Sequence, residues 1–214
     1  MKHFLIIGGF ALSGSALAFT NVGQFVGNLS DGFETDSNYG QNGNIGVNTL
    51  SAFGGAAFFN GTTTGYPGMW VINPNGGAGW LLGANGSAMA NTGQQALGFF
   101  NNDKGSVSLT FNSTVTSFGG YWETCDQGYG NLNAYFYDIN GTMIGTDSWV
   151  QTGNAYQWRG WADAGGIKTV VLQGNAAPVL DDMQANTAAV PEPASMAALG
   201  LGVAALLRRR AKKA

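Results

Sequence analysis

Ser106-Val107-Ser108-Leu109-Thr110-Phe111 places three apolar side chains on one side of an extended chain and three hydroxyls on the other. Side chains of a strand alternate with a period of two, so this stretch reads as a β-strand with one buried face. The same alternation recurs downstream, where Leu132, Ala134 and Phe136 are interleaved with Asn133, Tyr135 and Tyr137. Asp138-Ile139-Asn140-Gly141 then supplies turn residues before Thr142–Ile144, and Asp, Asn and Gly there predict a hairpin. Ile167–Leu172 is a β-branched run, and Pro178–Gln184 reads as a last short strand before a Thr/Ala/Pro segment.

Composition extends this reading to the rest of the chain. Glycine accounts for 35 of the 214 residues, aromatics for 12% and charged residues for 10%. Glycine costs roughly 1 kcal/mol per helical position relative to alanine, so a protein of long helices is excluded. Residues 19–105 are rich in Gly, Asn, Ser and Thr, with aromatics interleaved as in Phe53-Gly54-Gly55-Ala56-Ala57-Phe58-Phe59 and Gly76-Gly77-Ala78-Gly79-Trp80. Disordered segments are poor in aromatics, so this region reads as loop-rich β structure. Short strands separated by frequent turns predict an all-β antiparallel sandwich or barrel. A domain of about 170 residues can bury most of its apolar surface without disulfides or metals.

The two ends have a different character. Residues 1–18 run from Lys2 and His3 through an apolar stretch to Ala16-Leu17-Ala18, the order of a secretory signal peptide, which predicts cleavage by signal peptidase after Ala18. At the other end, Val190-Pro191-Glu192-Pro193 precedes an apolar run over 194–207, and Arg208, Arg209, Arg210, Lys212 and Lys213 follow. As a helix, residues 194–207 would reach about 21 Å, short of a hydrocarbon core of about 30 Å, and snorkelling basic side chains relieve that mismatch. Clustered Lys/Arg stay cytoplasmic, which sets the direction of the span.

This tail resembles the PEP-CTERM sorting signal of Gram-negative bacteria, in which Val190-Pro191-Glu192-Pro193, a short Ala/Gly/Leu-rich helix and Arg208–Arg210 occur in that order. The resemblance implies export, transient anchoring in the inner membrane by the C-terminal helix, and processing at the Pro-Glu-Pro by an exosortase. A cell-surface or extracellular destination would follow, in association with exopolysaccharide or biofilm matrix. The expected organisation is a signal peptide helix at 1–18, a Gly-rich β-sandwich domain at 19–186, a linker at 187–193, a transmembrane helix at 194–207 and a basic cytoplasmic tail at 208–214.

The formal charge of −3 conceals an asymmetry. Between Phe19 and Ala189 there are three basic residues against eleven acidic ones, a balance of −8. Such a domain is a poor partner for nucleic acid, whose phosphates need Lys/Arg, and suits cations or neutral polymers better. His3, the only histidine, leaves with the signal peptide, so the exported form lacks histidine for catalysis or metal ligation. Cys125 is the only cysteine, which excludes an intrachain disulfide; without histidine to activate it, a catalytic thiol is not expected.

Residues 106–184 also resemble the jelly-roll, lectin-like domains found in PEP-CTERM proteins. The landmarks are Val115-Thr116-Ser117-Phe118-Gly119-Gly120, Tyr137-Asp138-Ile139-Asn140-Gly141, Trp158-Arg159-Gly160-Trp161-Ala162-Asp163, Ile167–Leu172 and Leu180-Asp181-Asp182-Met183. A jelly-roll-like antiparallel β-sandwich is therefore expected. No cofactor is required, but the resemblance implies a structural Ca²⁺ held by Asp181, Asp182 and, near the start of the domain, Glu34, because hard oxygen ligands suit this ion. Turn capping and solvation are the alternative role of these acids. Asp138-Ile139-Asn140-Gly141 resembles part of a calcium loop but lacks the closing Glu, so a hairpin turn is expected. Asn28-Leu29-Ser30, Asn85-Gly86-Ser87 and Asn112-Ser113-Thr114 match the glycosylation acceptor pattern by chance in so Asn/Gly/Ser-rich a chain.

The reading is a non-enzymatic exported protein. The first alternative is a carbohydrate-binding module in which exposed tryptophan faces stack on sugar rings, with Trp122 and Trp158 as the positions to substitute, although most tryptophans are largely buried and Trp158 and Trp161 beside Arg159 look like core at a strand end. The second is a secreted hydrolase, for which Glu34 and Glu123 are the only glutamates before the tail and nothing in the sequence pairs them.

Overall fold

A computed structural model of the chain describes residues 18–34, 45–62, 69–72, 90–99, 105–124, 131–150, 155–174 and 178–187. The expected signal peptide before Ala18, Val190–Pro193, the 194–207 helix, Arg208–Arg210 and Cys125 lie outside the described residues. Among the described residues no helix is long and apolar enough to cross a membrane. The described chain is almost entirely antiparallel β structure with one short 3₁₀ turn, Phe53–Gly55.

Seven short strands come first: β1 (Thr20–Val22), β2 (Leu29–Asp31), β3 (Ile45–Val47), β4 (Thr49–Ala52), β5 (Ala57–Thr62), β6 (Met69–Ile72) and β7 (Ala96–Phe99). Five longer ones follow: β8 (Gly105–Thr124), β9 (Asn131–Tyr137), β10 (Met143–Val150), β11 (Gln157–Gly174) and β12 (Pro178–Thr187). The hairpin expected at Asp138–Gly141 is β9–β10, and Val107, Leu109 and Phe111 are buried, as their alternation predicts.

What the local pattern did not show is the length of β8 and β11. They pair from Gly105–Gly174 to Trp122–Gln157, and each belongs to both layers of the fold. In the first layer β4 pairs with β5, β5 with residues 106–111 of β8, residues 169–174 of β11 with β9, and β9 with β10. In the second, residues 115–124 of β8 pair with β12, which leads through β7 and β6 to β3, while β1 lies on residues 160–162 of β11. Two opposed irregularities bend the pair between the layers: β11 carries extra residues between Ala162 and Ile167, and β8 between Thr110 and Val115. Such bulges turn a strand without ending its pairing. Gly166 sits in the bend at φ +96°, and a Cβ there would lie 2.8 Å from Thr114 Cβ, so the position demands glycine.

Aromatic contacts close the two layers face to face. Phe59 on β5 meets Phe99 on β7, with ring centroids 6.0 Å apart, and Trp161 on β11 stands 5.0 Å from Phe136 on β9 and 5.7 Å from Trp149 on β10. Trp161 Nε1 donates to Asp147 Oδ2 at 2.9 Å, giving the indole its polar partner. Asp147 Oδ1 accepts the N–H of Ser148 at 2.8 Å on the edge strand β10, which occupies one donor that a foreign strand would need. Together these features make the protein a jelly-roll-like antiparallel β-sandwich.

Phe19, the first residue after the expected cleavage point, is packed rather than free. Its ring lies 4.6 Å from that of Phe136, over Gly145, where a Cβ would come within 2.2 Å of it. Among the described residues, strand pairing starts two residues after Ala18, at Thr20.

Trp161→Ala should lower the unfolding free energy by about 3–5 kcal/mol, since it opens a cavity and strands Asp147. Urea denaturation followed by circular dichroism checks this against Trp158→Ala, which removes a half-buried indole and should cost less; equal losses would contradict the seam at Trp161.

Candidate functional site

The sequence singled out Glu34, Asp181 and Asp182, and the structure brings all three to one loop, Asn91–Gln95. Asp181 and Asp182 lie on β12, where the register against β8 shifts between Asp181 and Gln184. Three residue steps on β12 are matched by two on β8, and Asp182 takes up the excess at φ +47°, a conformation Asp tolerates better than most side chains. Both acids consequently reach the same loop.

Asp181 is 0% exposed. Its Oδ2 accepts the N–H groups of Asn91 (2.7 Å) and Thr92 (3.2 Å), and its Oδ1 that of Asp182 (2.7 Å). Asp182 Oδ2 accepts from Asn91 Nδ2 and Asp182 Oδ1 from Thr92 Oγ1, both at 2.7 Å. Glu34 grips the other side of the loop, with Oε1 accepting the N–H groups of Gln94 (2.6 Å) and Gln95 (2.7 Å). Asp31 closes the same corner by accepting from Phe33 N (2.8 Å) and Phe53 N (2.5 Å). Between Asp31 and Glu34, a Cβ on Gly32 would lie 3.3 Å from Asp182 Oδ1 and 3.7 Å from Asp181 Oδ1, so the two acidic segments touch.

The donors in this corner are main-chain N–H, amide and hydroxyl groups, so the acids brace a loop. A calcium ion would need six to eight oxygens directed at one point. Among the described residues no three His, Cys, Asp or Glu side chains form a group placed to hold a metal ion. The five oxygens named for Asp181, Asp182 and Glu34 face hydrogen-bond donors.

Burial, with Asp182's charge as the second cause, pushes the Asp181 carboxyl up to about 7 against the opposing N–H groups of Asp182, Thr92 and Asn91. Glu123 on β8 is also buried, at 3% exposure, and desolvation alone pushes it to about 7. In the sequence Glu123 stands out only as one of two glutamates before the tail. Its position opposite Val179, one residue from the buried Trp122, shows a carboxyl held in an apolar wall.

The tryptophans are placed differently from the sugar-stacking expectation. Trp122 is fully buried and in ring contact with Phe99, Trp149 and Trp161, so it belongs to the core and is not open to a glycan. Trp149 and Trp161 are buried as well, and Arg159 lies over the Trp149 ring at 5.4 Å. Trp158 is half-buried on the outer face, over Gly119 and Gly160; a Cβ on either glycine would come within 2.6 or 2.7 Å of the indole. Phe25 packs edgewise against it at 5.4 Å, pinning the crossing from β1 to β2. Of the acceptor asparagines, Asn28 bonds through its amide to Thr187, and Asn112 donates to Gly55 O.

The raised carboxyls have a definite pH signature. Asp181 and Glu123 keep their protons in the folded state up to about pH 7, while the unfolded chain releases them near pH 4. In that window the folded state binds more protons, so stability falls as pH rises and levels off above it. Urea midpoints should therefore decline between pH 5 and pH 8, and Glu123→Gln should decline less; an unchanged slope in this variant would contradict the assignment.

Comparison with known proteins adds three findings. No curated protein matches the chain. Among solved structures, the N-terminal tandem domain of a Paenibacillus barcinonensis protein is similar at 16% identity and TM-score 0.42, over 85% of this chain and 49% of that one. The single xylan-binding domain from the same organism is similar at 15% identity and TM-score 0.38, over 78% and 100%. A family 6 carbohydrate-binding module is similar at 17% identity and TM-score 0.36, over 59% and 88%. The family comparison finds one model, and by it residues 189–211 of this chain carry a PEP-CTERM protein-sorting motif.

Proposed function

We propose that the protein is an exported, non-enzymatic component of the cell surface or extracellular matrix, delivered through its C-terminal sorting motif. The observation that carries this is the match of residues 189–211 to the PEP-CTERM protein-sorting motif, directly behind an acidic all-β domain. Signal peptidase would cut after Ala18, which frees Phe19 to take its place beside Phe136. The apolar run at 194–207 would then hold the domain at the inner membrane with Arg208–Arg210 on the cytoplasmic side. An exosortase would release it at Val190–Pro193. Association with exopolysaccharide is what the sorting motif implies, and a balance of three basic to eleven acidic residues between Phe19 and Ala189 suits a neutral polymer.

A second reading, a carbohydrate-binding module, rests on a different surface from the one the tryptophans suggested. Tyr135 and Tyr137 are half-buried on the outward face of β9, two residues apart, where alternation sends both rings the same way. Tyrosine rings of that kind stack on sugar faces. A glycan array discriminates the readings: binding lost in Tyr135→Ala and Tyr137→Ala favours the module, and absence of any glycan signal leaves the structural role.

We also propose Ca²⁺ for the corner of Glu34, Asp181 and Asp182, supported by their convergence on one loop. A bound cation would keep Asp181 ionised, so millimolar Ca²⁺ should raise the melting temperature and EDTA reverse it. Melting that ignores both removes the ion and leaves the hydrogen-bonded brace.

For the sorting reading, intact-mass measurement of surface material should find a chain that begins at Phe19 and has lost Arg208–Arg210. Glu192→Ala should accumulate as a membrane-bound precursor. A secreted form that retains the basic tail would overturn processing.

A further inference from the structure

Both ends of the described domain lie at the bent end of the sandwich. Thr187 pairs with Val115, which also pairs with Ile167 on the far side of β8. Two residues along β11, Thr169 pairs with Tyr137, from which the β9–β10 hairpin turns. The hairpin tip therefore projects past the same bend from which the chain leaves toward residue 188. Phe19, seated over Gly145 near the start of β10, brings Ala18 to this end as well.

The C-terminal exit is clasped to its last residue. Asn28 Oδ1 accepts the Thr187 N–H at 3.0 Å, Asn28 Nδ2 donates to Thr187 Oγ1 at 2.7 Å, and Asn28 N donates to Asn186 Oδ1 at 3.0 Å. Only Ala188, Ala189 and Val190 separate Thr187 from Pro191. Four residue steps of extended chain reach no more than about 14 Å to the sorting motif and seven no more than about 25 Å to Ala194, where the apolar run begins, so the domain is held near the membrane.

Exposed apolar side chains gather at this end. Five large ones stand exposed among the described residues, of which Ile139 (60%) and Met143 (55%) flank the hairpin tip and Val26 (90%) lies two residues from Asn28. Phe58 is on the flank of the first layer and Val150 at the opposite end of β10. The nearby charges are held by local hydrogen bonds at the surface. Asp138 Oδ1 accepts the N–H groups of Thr142 and Asn140 at 2.8 Å each, and Lys168 Nζ donates to Asn112 O at 2.9 Å.

We propose that the bent end of the sandwich rests on the membrane that holds residues 194–207, with Ile139, Met143 and Val26 entering the boundary between lipid headgroups and acyl chains. This rests on the reading of 194–207 as a membrane anchor. The short tether supplies the proximity, and the three apolar side chains choose which end faces the lipid. The domain's acidic balance gives it no attraction to anionic lipid, so contact depends on these side chains and the tether. Before processing, the protein stands upright with its far end, where Gly105 pairs with Gly174, directed away from the membrane.

The test uses the chain from Phe19 to Ala214 with Cys125→Ser, so that flotation reports residues 194–207 and not the apolar stretch of 1–18, reconstituted in phosphatidylcholine vesicles that contain nitroxide-headgroup lipid. A fluorophore is attached at Ile139→Cys, Val26→Cys or, at the far end of β10, Val150→Cys. Quenching by the nitroxide should be at least about twofold stronger at 139 and 26 than at 150. Met143→Cys provides an independent position if one of these variants fails to fold by circular dichroism. Flotation with the vesicles reports the anchor separately. Protein that floats but quenches equally at all positions overturns the orientation alone; protein that does not float overturns the anchor and the orientation with it.

Discussion

Hydrogen bonding between β8 and β11 runs without a break in strand order through both layers of the sandwich, and nearly every other element hangs on it. β5 and β12 flank β8, while β9 and β1 flank β11. A pair of strands shared by two layers couples them through covalent chain as well as through the core. It can do so only because the bulges at residues 111–114 and 163–166 turn the pair by opposite excesses of chain. Losing the glycine at 166 would press on Thr114 at the point where the layers part company.

The interior built on that pair sets an aromatic seam among aliphatic side chains. Trp122, Trp149 and Trp161 meet Phe99, Phe118 and Phe136 in one seam, and pairs of such rings contribute about 0.5–1.5 kcal/mol each beyond their buried area. The glycines seen as turn signals have a second role here. Gly119, Gly160 and Gly145 leave the space in which Trp158 and Phe19 lie. A glycine-rich sequence with many large rings is thus a matched set, since flat rings need floors without side chains.

Carboxylates do for the loops what the rings do for the core. Asp31, Glu34 and Asp181 accept from main-chain N–H groups, and Asp182 from the Asn91 amide and the Thr92 hydroxyl. Burial makes Asp181 hold its proton at higher pH than a solvated acid, so the hydrogen-bonded corner carries a pH response. Asp147 on β10 and Asp138 in the β9–β10 turn likewise accept hydrogen bonds, Asp147 from Trp161 and Asp138 from Asn140 and Thr142.

How much of this was legible follows from the range of each interaction. Alternation of neighbouring residues is local, so the strands at 106–111, 132–137, 167–172 and 178–184 could be read from the chain, as could the Asp138–Gly141 turn and the sorting motif with its fixed order of Pro-Glu-Pro, apolar run and arginines. Glu34, Asp181 and Asp182 were singled out together, with calcium or turn capping as their role, but the loop whose donors they would meet, Asn91–Gln95, was not legible. Trp122 and Trp158 look alike in sequence, yet one is core and the other lies outside over two glycines, because only the register of β8 against β11 assigns a face to each. The sequence by itself determined an all-β domain with a PEP-CTERM sorting motif at its C-terminal end, since alternation and motif order need nothing beyond neighbours along the chain. Tertiary structure alone decided the bend, the partners of the carboxylates and the gathering of both chain ends with Ile139 and Met143, because those depend on pairings between residues as much as 159 positions apart.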